Sequence, residues 1–564
     1  MKKLINRPAD VVREMLEGLV ALSPALALLD TENVVVRSDL PAAAERPVAL
    51  ISGGGAGHEP AHAGYVGPGM LTAAVTGEVF TSPSVDAVLT AIRASAGPAG
   101  ALLIVKNYTG DRLNFGLAAE LATVEGIPTD VVVVADDVAL SSLVPRERRR
   151  GIAGTVLVHK IAGAAAASGK SLKDVAATAR SAASRLGTMG VALGACIVPA
   201  AGKAGFALAE DEIELGLGIH GEKGVERTRL LPADAITDRI VDQIAKDMKL
   251  APGSSVALLV NGLGATPPME LAVVARGAVT ALRSRGLRIK RAWSGNFLTA
   301  LEMPGCSISL LKLEDGDTAL LDAETSATAW PRGGLIEDVP RIVQAPKMPA
   351  NEAPVDDTGR FDPRELRRIG LAVSDALAAA EAHLTDLDSK AGDGDLGASM
   401  LRGAEAIRAL PESAWINPAN ALVAIGNALR RAIAGSSGPF YAIALTRAGR
   451  HLSKSNRFSA EDFRAAFAIG IAAISEIGGA KPGDRTMLDA LDPALQALEI
   501  TDSNAPAAEA WKQAASAAAD GARRTADMAP KLGRASYLGE RAIGIEDGGA
   551  AAVAIWMKAL AASI

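Results

Sequence analysis

Four short segments of this chain carry residue types that can do chemistry, each beside glycine. Ser52-Gly53-Gly54-Gly55-Ala56-Gly57-His58-Glu59-Pro60 places four glycines in five positions and runs into a histidine. Glycines let a backbone approach a ligand closely and present N–H donors, and an imidazole moves protons near neutral pH. Val105-Lys106-Asn107-Tyr108-Thr109-Gly110-Asp111 follows an apolar run and ends on a carboxylate, where an α/β fold collects catalytic groups. Gly216-Leu217-Gly218-Ile219-His220-Gly221-Glu222-Lys223-Gly224 surrounds His220 with glycines, making an accessible imidazole that can act as a nucleophile. Asp386-Leu387-Asp388-Ser389-Lys390-Ala391-Gly392-Asp393-Gly394-Asp395-Leu396-Gly397 crowds carboxylates between glycines. Such groups repel unless a hard cation neutralises them, and Mg²⁺ prefers carboxylate and phosphate oxygens. It is not an EF-hand, because Ser399 stands where the closing glutamate would be. Each segment also has a plainer reading: a tight turn, an Asx turn, a surface histidine, a solvated acidic loop.

Three further loops are weaker alone: Ala434-Gly435-Ser436-Ser437-Gly438-Pro439, Gly478 to Asp489, and Gly533 to Arg541 followed by Asp547-Gly548-Gly549. Small residues before a helix start suit phosphate contact. Together with the acidic segment they suggest a nucleotide–metal site on loops at one end of a helical bundle. Two decoys are rejected. Gly216-x-Gly218-x-x-Gly221 matches a dinucleotide fingerprint by letter, but no apolar strand precedes it and no clear helix follows. Ala164 to Ser171 resembles the end of a P-loop, yet reads as a helix closing at Gly169 with Ser171 capping the next.

The elements that position these residues fall into two textures. Up to about residue 330, short apolar runs alternate with helical patterns. The runs are 34–36, 47–51, 101–105, 130–134 and 256–260; the helical patterns include 84–94 and 113–125. Strands alternating with helices predict a layered α/β domain over 1–330. Pro331, Pro340, Pro346, Pro349 and Pro354 then mark a linker over 331–360. From 361 to 564 the pattern is helical, with Ala/Leu-rich stretches at 363–386, 419–433, 459–476, 505–528 and 548–562, predicting an all-α domain. The 564 residues are 49% hydrophobic and 22% charged, which excludes a wholly disordered chain. A net charge of −6 and 3% aromatics argue against a nucleic-acid binder. Two cysteines form no disulfide framework, and neither a signal peptide nor an 18-residue apolar run is read, so a cytoplasmic protein without membrane partners is expected.

Taken together, the motifs resemble the ATP-dependent dihydroxyacetone kinases in the form that fuses both domains in one chain. Gly-Gly-Gly-x-Gly-His-Glu-Pro, Lys-Asn-Tyr-x-Gly-Asp, Ile-His-Gly-Glu, Gly-Asp-Gly-Asp-x-Gly and Gly-Arg-Ala-Ser-Tyr-Leu-Gly-Glu-Arg carry the resemblance over nearly the whole chain. It implies a ketose-binding α/β domain and an ATP-binding barrel of eight helices. It further implies a covalent hemiaminal on His220, Asp111 as the base for the terminal hydroxyl, and His58 assisting proton movement. Gly55, Ala56, Gly57, His58, Lys106 and Asp111 should line the ketose pocket. Asp388, Asp393 and Asp395 should hold two Mg²⁺ ions. Leu396, Gly397, Ala398, Ser399, Ser436, Ser437, Gly478, Met487, Arg534 and Asp547 should contact the nucleotide. A homodimer is the implied assembly. Ala56, Lys223, Leu396, Thr76 and Glu78 depart from the residues usual in that family, so the ketose could be dihydroxyacetone or the four-carbon erythrulose. Two other functions stay open: cleavage of FAD to cyclic FMN, which needs the aspartates but not His220, and ketose sensing without turnover.

Overall fold

The computed structural model describes residues 2–337, 341–346, 361–455, 458–502 and 505–564; most of the expected linker lies outside them. The chain forms two compact units, Met1–Val343 and Gln344–Ile564.

The first unit holds two six-stranded sheets. Strands β1 (Leu26–Leu28), β2 (Val34–Arg37), β3 (Ala49–Ala56), β4 (Ala73–Val79), β5 (Ala101–Lys106) and β6 (Thr129–Val134) form one, in the order β1-β2-β4-β3-β5-β6. Strands β7 (Leu186–Ala192), β8 (Glu212–Leu215), β9 (Glu226–Arg229), β10 (Ser255–Gly262), β11 (Arg288–Gly295) and β12 (Gly305–Lys312) form the other, in the order β11-β10-β12-β7-β8-β9. β4, β3, β5 and β6 run parallel, which requires covered faces and explains their continuous apolar runs. Successive side chains point to opposite faces. Leu50, Leu102 and Ile104 therefore join one core, while Ala49, Ile51, Leu103 and Val105 join the other. The first of these cores also takes Ala257 and Leu259 from β10, so one apolar layer holds both sheets.

The five expected strands form, but seven more were not legible. β8 corrects the reading of the His220 segment, because a strand does precede it. The outcome for a dinucleotide site is unchanged, since β8 leads through the glycines into antiparallel β9 and not into a helix. At the P-loop decoy, helix Thr155–Ala167 ends with Gly169 at φ +77° and Ser171 accepts a hydrogen bond from the Asp174 amide.

In the second unit the described residues form nine α-helices. Pro363–Ala379 and Glu381–Ala391 meet at the single residue Ala380, so the expected 363–386 stretch is broken there. The others are Leu396–Arg408, Pro418–Ala432, Ser437–Leu452, Ala460–Gly478, Leu488–Ile500, Ala507–Arg524 and Gly548–Ser563. Each packs on the next, and the last packs back on the first, closing a ring of eight members with the first two helices counted as one. Three of these helices lack a clear sequence signal. One opens Ser-Gly-Pro and another carries Pro493 inside it, both poor helix formers.

Candidate active site

The glycine segment does not form a free loop. β3 continues to Ala56, so Gly53, Gly54, Gly55 and Ala56 are strand residues, and the Gly57 amide donates to the Glu59 carboxylate at 3.0 Å. Beyond Ser52, β3 pairs with β4 but no longer with β5. Glycine is required here by close approach more than by free N–H donors. A Cβ on Gly54 would lie 2.6 Å from Lys106 Nζ and 3.8 Å from Asp111 Oδ2, and one on Gly55 would lie 2.5 Å from the Thr81 amide nitrogen. Lys106 ends β5, and Asp111 occupies the first turn of helix Thr109–Val124. Both are buried, and Asp111 Oδ1 has no hydrogen-bond partner among the described residues.

His58 is fully buried. Its Nδ1–H donates to the Thr299 carbonyl at 2.7 Å, and its Nε2 lies 3.1 Å from His220 Nε2. His220 in turn donates from Nδ1 and from its backbone amide to Glu222, at 3.0 and 2.9 Å. With both Nδ1 atoms acting as donors, the facing Nε2 atoms can hold one proton between them. Burial, then the charges of His220 and Lys106, push His58 well below the usual imidazole range. Burial alone would raise Glu222, but the hydrogen bond and charge of His220, with backbone amides, bring it down to about 2. Phe80 stacks on His58 with ring centres 5.1 Å apart, and Phe80 and Tyr108 meet the His220 ring edge-on. A cleft of about 180 Å³ opens at His220 and Gly221, walled by Cys196, Val198 and Phe206 among others.

The second sheet supplies half of this site. Asn261 on β10 accepts from the amides of Phe297 and Leu298 and donates to the Leu298 carbonyl, fixing the segment that presents Thr299. Arg150 donates to Asp137 and to the Gly216 carbonyl, anchoring the His220 loop. Sequence reasoning gave no role to Glu222, Phe80, Thr299 or Asn261. The His-x-Glu spacing was the one usable signal, for a carboxylate two residues on can reach back to the imidazole.

In the second unit Asp388, Asp393 and Asp395 bring carboxylate oxygens within 4.8 Å of one another, with Asp393 and Asp395 exposed. Asp388 lies in the last turn of helix Glu381–Ala391, a correction to the expected loop, and its Oδ2 accepts from the amides of Asp395 and Leu396. Three convergent hard oxygens, two of them on exposed residues, fit Mg²⁺. Leu396, Gly397, Ala398 and Ser399 form the first turn of the next helix, where the helix dipole favours anions, with the Leu396 amide already given to Asp388 and the Ser399 amide to the Asp395 carbonyl. Arg402 donates to Ser399 Oγ and to the Ala432 carbonyl, drawing in the loop that carries Ser436 and Ser437. A Cβ on Gly548 would meet Leu396 at 2.6 Å, and one on Gly549 would meet Met487 at 3.7 Å. Gly478 ends its helix beside Phe440. These contacts bring the first turn at Leu396, Met487 and the start of the last helix together, a setting that fits ATP phosphates. Asp547 caps the last helix through the Ala550 amide, and burial pushes it up to about 6. Arg534 starts a short 3-10 turn, and its side chain lies outside the described ones. Arg485 is buried and donates to the carbonyls of Thr525, Ala542 and Ile545, the arginine clamp that one reading of the Gly478–Asp489 loop allows.

Known proteins match this chain end to end. A Dak1 domain is matched over residues 17–329 and a DAK2 domain over residues 390–562. Triokinase/FMN cyclase of Homo sapiens is 43% identical, over 99% of this chain and 98% of its own. D-erythrulose kinase of Mycolicibacterium smegmatis is 37% identical, over 100% of this chain and 98% of its own. The crystal structure of the dihydroxyacetone kinase from C. freundii in complex with AMP-PNP and Mg²⁺ is 37% identical, covers both chains completely, and superposes with a TM-score of 0.65. The chain belongs to the dihydroxyacetone kinase family, with its Dak1 and DAK2 domains joined in one polypeptide.

Proposed function

We propose that this chain phosphorylates the terminal hydroxyl of a short ketose at the expense of ATP, dihydroxyacetone first and erythrulose as the alternative, with the ketose held on His220. The observation that carries this reading is the pair of facing Nε2 atoms at 3.1 Å, each ring fixed from behind by an Nδ1 hydrogen bond. When the shared proton sits on His58, His220 Nε2 is free to attack the ketose carbonyl carbon. The carbonyl π electrons pass to oxygen, which takes the proton from His58, leaving His58 neutral and the hemiaminal's His220 ring cationic. Glu222 balances the positive charge on the His220 ring as the bond forms. The unpartnered Oδ1 of Asp111 is an acceptor for the hydrogen of the terminal hydroxyl, and Lys106 offers a donor beside it. Covalent capture selects a true carbonyl, because a three-carbon polyol offers little surface for discrimination.

Asp388, Asp393 and Asp395 would hold Mg²⁺, and Leu396 to Ser399, Ser436, Ser437, Gly478, Met487, Arg534 and Asp547 would hold ATP. Bound there, Mg-ATP would supply the phosphoryl group and the cations that offset its charge. Cleavage of FAD to cyclic FMN is a second reading for this site, supported by the name of the human relative. The domain limits 1–330 and 361–564 and a cytoplasmic homodimer complete the proposal. Two buried free cysteines suit a reducing compartment. The exposed row Leu113, Leu117, Leu121 and Val124 on one helix is a face that a second copy would cover.

The test mixes the protein with Mg-ATP and dihydroxyacetone, or each erythrulose enantiomer, and follows ADP release beside His220→Ala. Turnover that the variant loses supports the kinase. No ADP with any short ketose overturns it, and FAD is then the substrate to try.

A further inference from the structure

Four of the six histidines crowd this one region, and two of them, His62 and His159, have no part in the reaction proposed above. Both are buried beneath the pocket with Ser52 and Lys106. The hydrogen bonds among them run in one direction only. Ser52 Oγ lies 2.6 Å from the Ile104 carbonyl, which can only accept, so the hydroxyl hydrogen is committed there. The Ser52 oxygen must then accept from its other neighbours. His159 Nε2 stands 3.1 Å away and is therefore N–H, leaving its buried Nδ1 bare, where indeed no partner lies. His62 Nδ1 stands 3.5 Å from the same oxygen and carries a hydrogen by the same logic. His62 Nε2 is left with a lone pair, and it faces Lys106 Nζ at 2.7 Å. A second Lys106 hydrogen goes to the Gly53 carbonyl at 3.3 Å. Lys106 makes no ion pair among the described residues, so a neutral imidazole and a carbonyl do the holding.

We propose that His62 is a positioning residue: its Nε2 accepts from Lys106 and holds the amine over Gly54 with its third hydrogen left for the ketose, while Ser52 fixes the tautomer that makes this possible. The choice of imidazole has a physical reason. A carboxylate at this place would pair with the lysine and compete with the substrate for it; a neutral acceptor orients the ammonium without quenching its charge. Burial lowers the Lys106 pKa and the charge of Asp111 opposes that shift. The ionisable groups that face Lys106 are Asp111, His58, His62 and His159. Burial, then Lys106, keeps His62 well below the usual imidazole range, and burial brings His159 down to about 3, so both stay neutral acceptors and donors at working pH.

The inference rests on Lys106 contacting the ketose. His62→Leu removes the acceptor, so the charged lysine loses a hydrogen bond. The expected result is a ketose KM raised about 10- to 100-fold, an alkaline limb of kcat/KM moved to lower pH, and an unchanged KM for ATP. His62→Gln, whose amide can accept from Lys106 and donate to Ser52, restores most of both. Ser52→Ala moves them in the same direction by less. A purely structural role would lower the active fraction, and with it kcat, while leaving KM and the limb in place; that result overturns the proposal. If His62→Leu does not fold, Ser52→Ala decides alone, and wild-type KM and limb in it count against the proposal. Lys106→Ala separates the two readings: an unchanged ketose KM there overturns the pocket assignment itself.

Discussion

His58 is buried and both it and His220 are already hydrogen-bonded, whereas in the second unit Asp393 and Asp395 are exposed and converge with half-buried Asp388. The two regions prepare for different partners. A carbonyl is neutral, so the first region invests in position: tautomers set by Thr299 and Glu222, rings pinned by Phe80 and Tyr108, a lysine held over a glycine. A magnesium nucleotide is highly charged and sheds water only partly, so the second sets clustered carboxylates, two of them exposed, beside a helix first turn. Covalent capture rewards rigidity, while metal binding rewards clustered negative charge.

The contrast is broken most directly at its two centres. His220→Ala should lower ketose phosphorylation by about 10³-fold or more, with no hemiaminal seen by mass spectrometry, while a fluorescent ATP analogue still binds. Full turnover in that variant would sink covalent capture. Asp393→Asn should cost about 10²-fold or more in kcat/KM at saturating Mg²⁺ and leave the His220 adduct intact. Loss of the adduct in this variant would mean that the two regions are not separable.

Smaller effects sharpen the difference. Glu222→Gln removes the countercharge behind His220 and should slow adduct formation about tenfold. Since Glu222 is held down to about 2, its contribution to stability is present above the usual glutamate range and lost as pH falls toward 2. The acid-unfolding curves of wild type and variant should therefore approach each other below pH ~4.5 and meet as pH reaches about 2. Asp547 moves the other way. Its carboxyl is raised to about 6, so the stability tied to its neutral form is full below the usual aspartate range and gone as pH rises through 6. Asp547→Asn keeps the helix cap and should stabilise the second unit by about 1–2 kcal/mol at pH 8, by about half as much at pH 5 and by little below pH ~3.5 in thermal unfolding. A pH-independent difference would refute the assignment.

Much of the fold could be read from particular residues. The runs at 47–51 and 101–105 became β3 and β5 because β-branched and leucine side chains pack on both faces of a parallel sheet. β8, reading Glu-Ile-Glu-Leu, and β9, reading Glu-Arg-Thr-Arg, stayed hidden, since short polar strands owe their form to the neighbour that pairs with them. For Ser437–Leu452 a helix start was legible after Pro439, but the helix begins earlier, at Ser437.

The sequence alone determined which chemical groups are present and the spacing that marks them: a glycine-flanked histidine, a Lys-Asn-Tyr-x-Gly-Asp segment, aspartates at 388, 393 and 395. Those are local properties of covalent order. Only the tertiary structure decided that His58 and His220, 162 residues apart, face each other through Nε2, that Thr299 fixes one and Glu222 the other, and that a lysine rests on an imidazole. Hydrogen-bond direction and burial depend on which distant strands close over a group, and no local pattern carries that information.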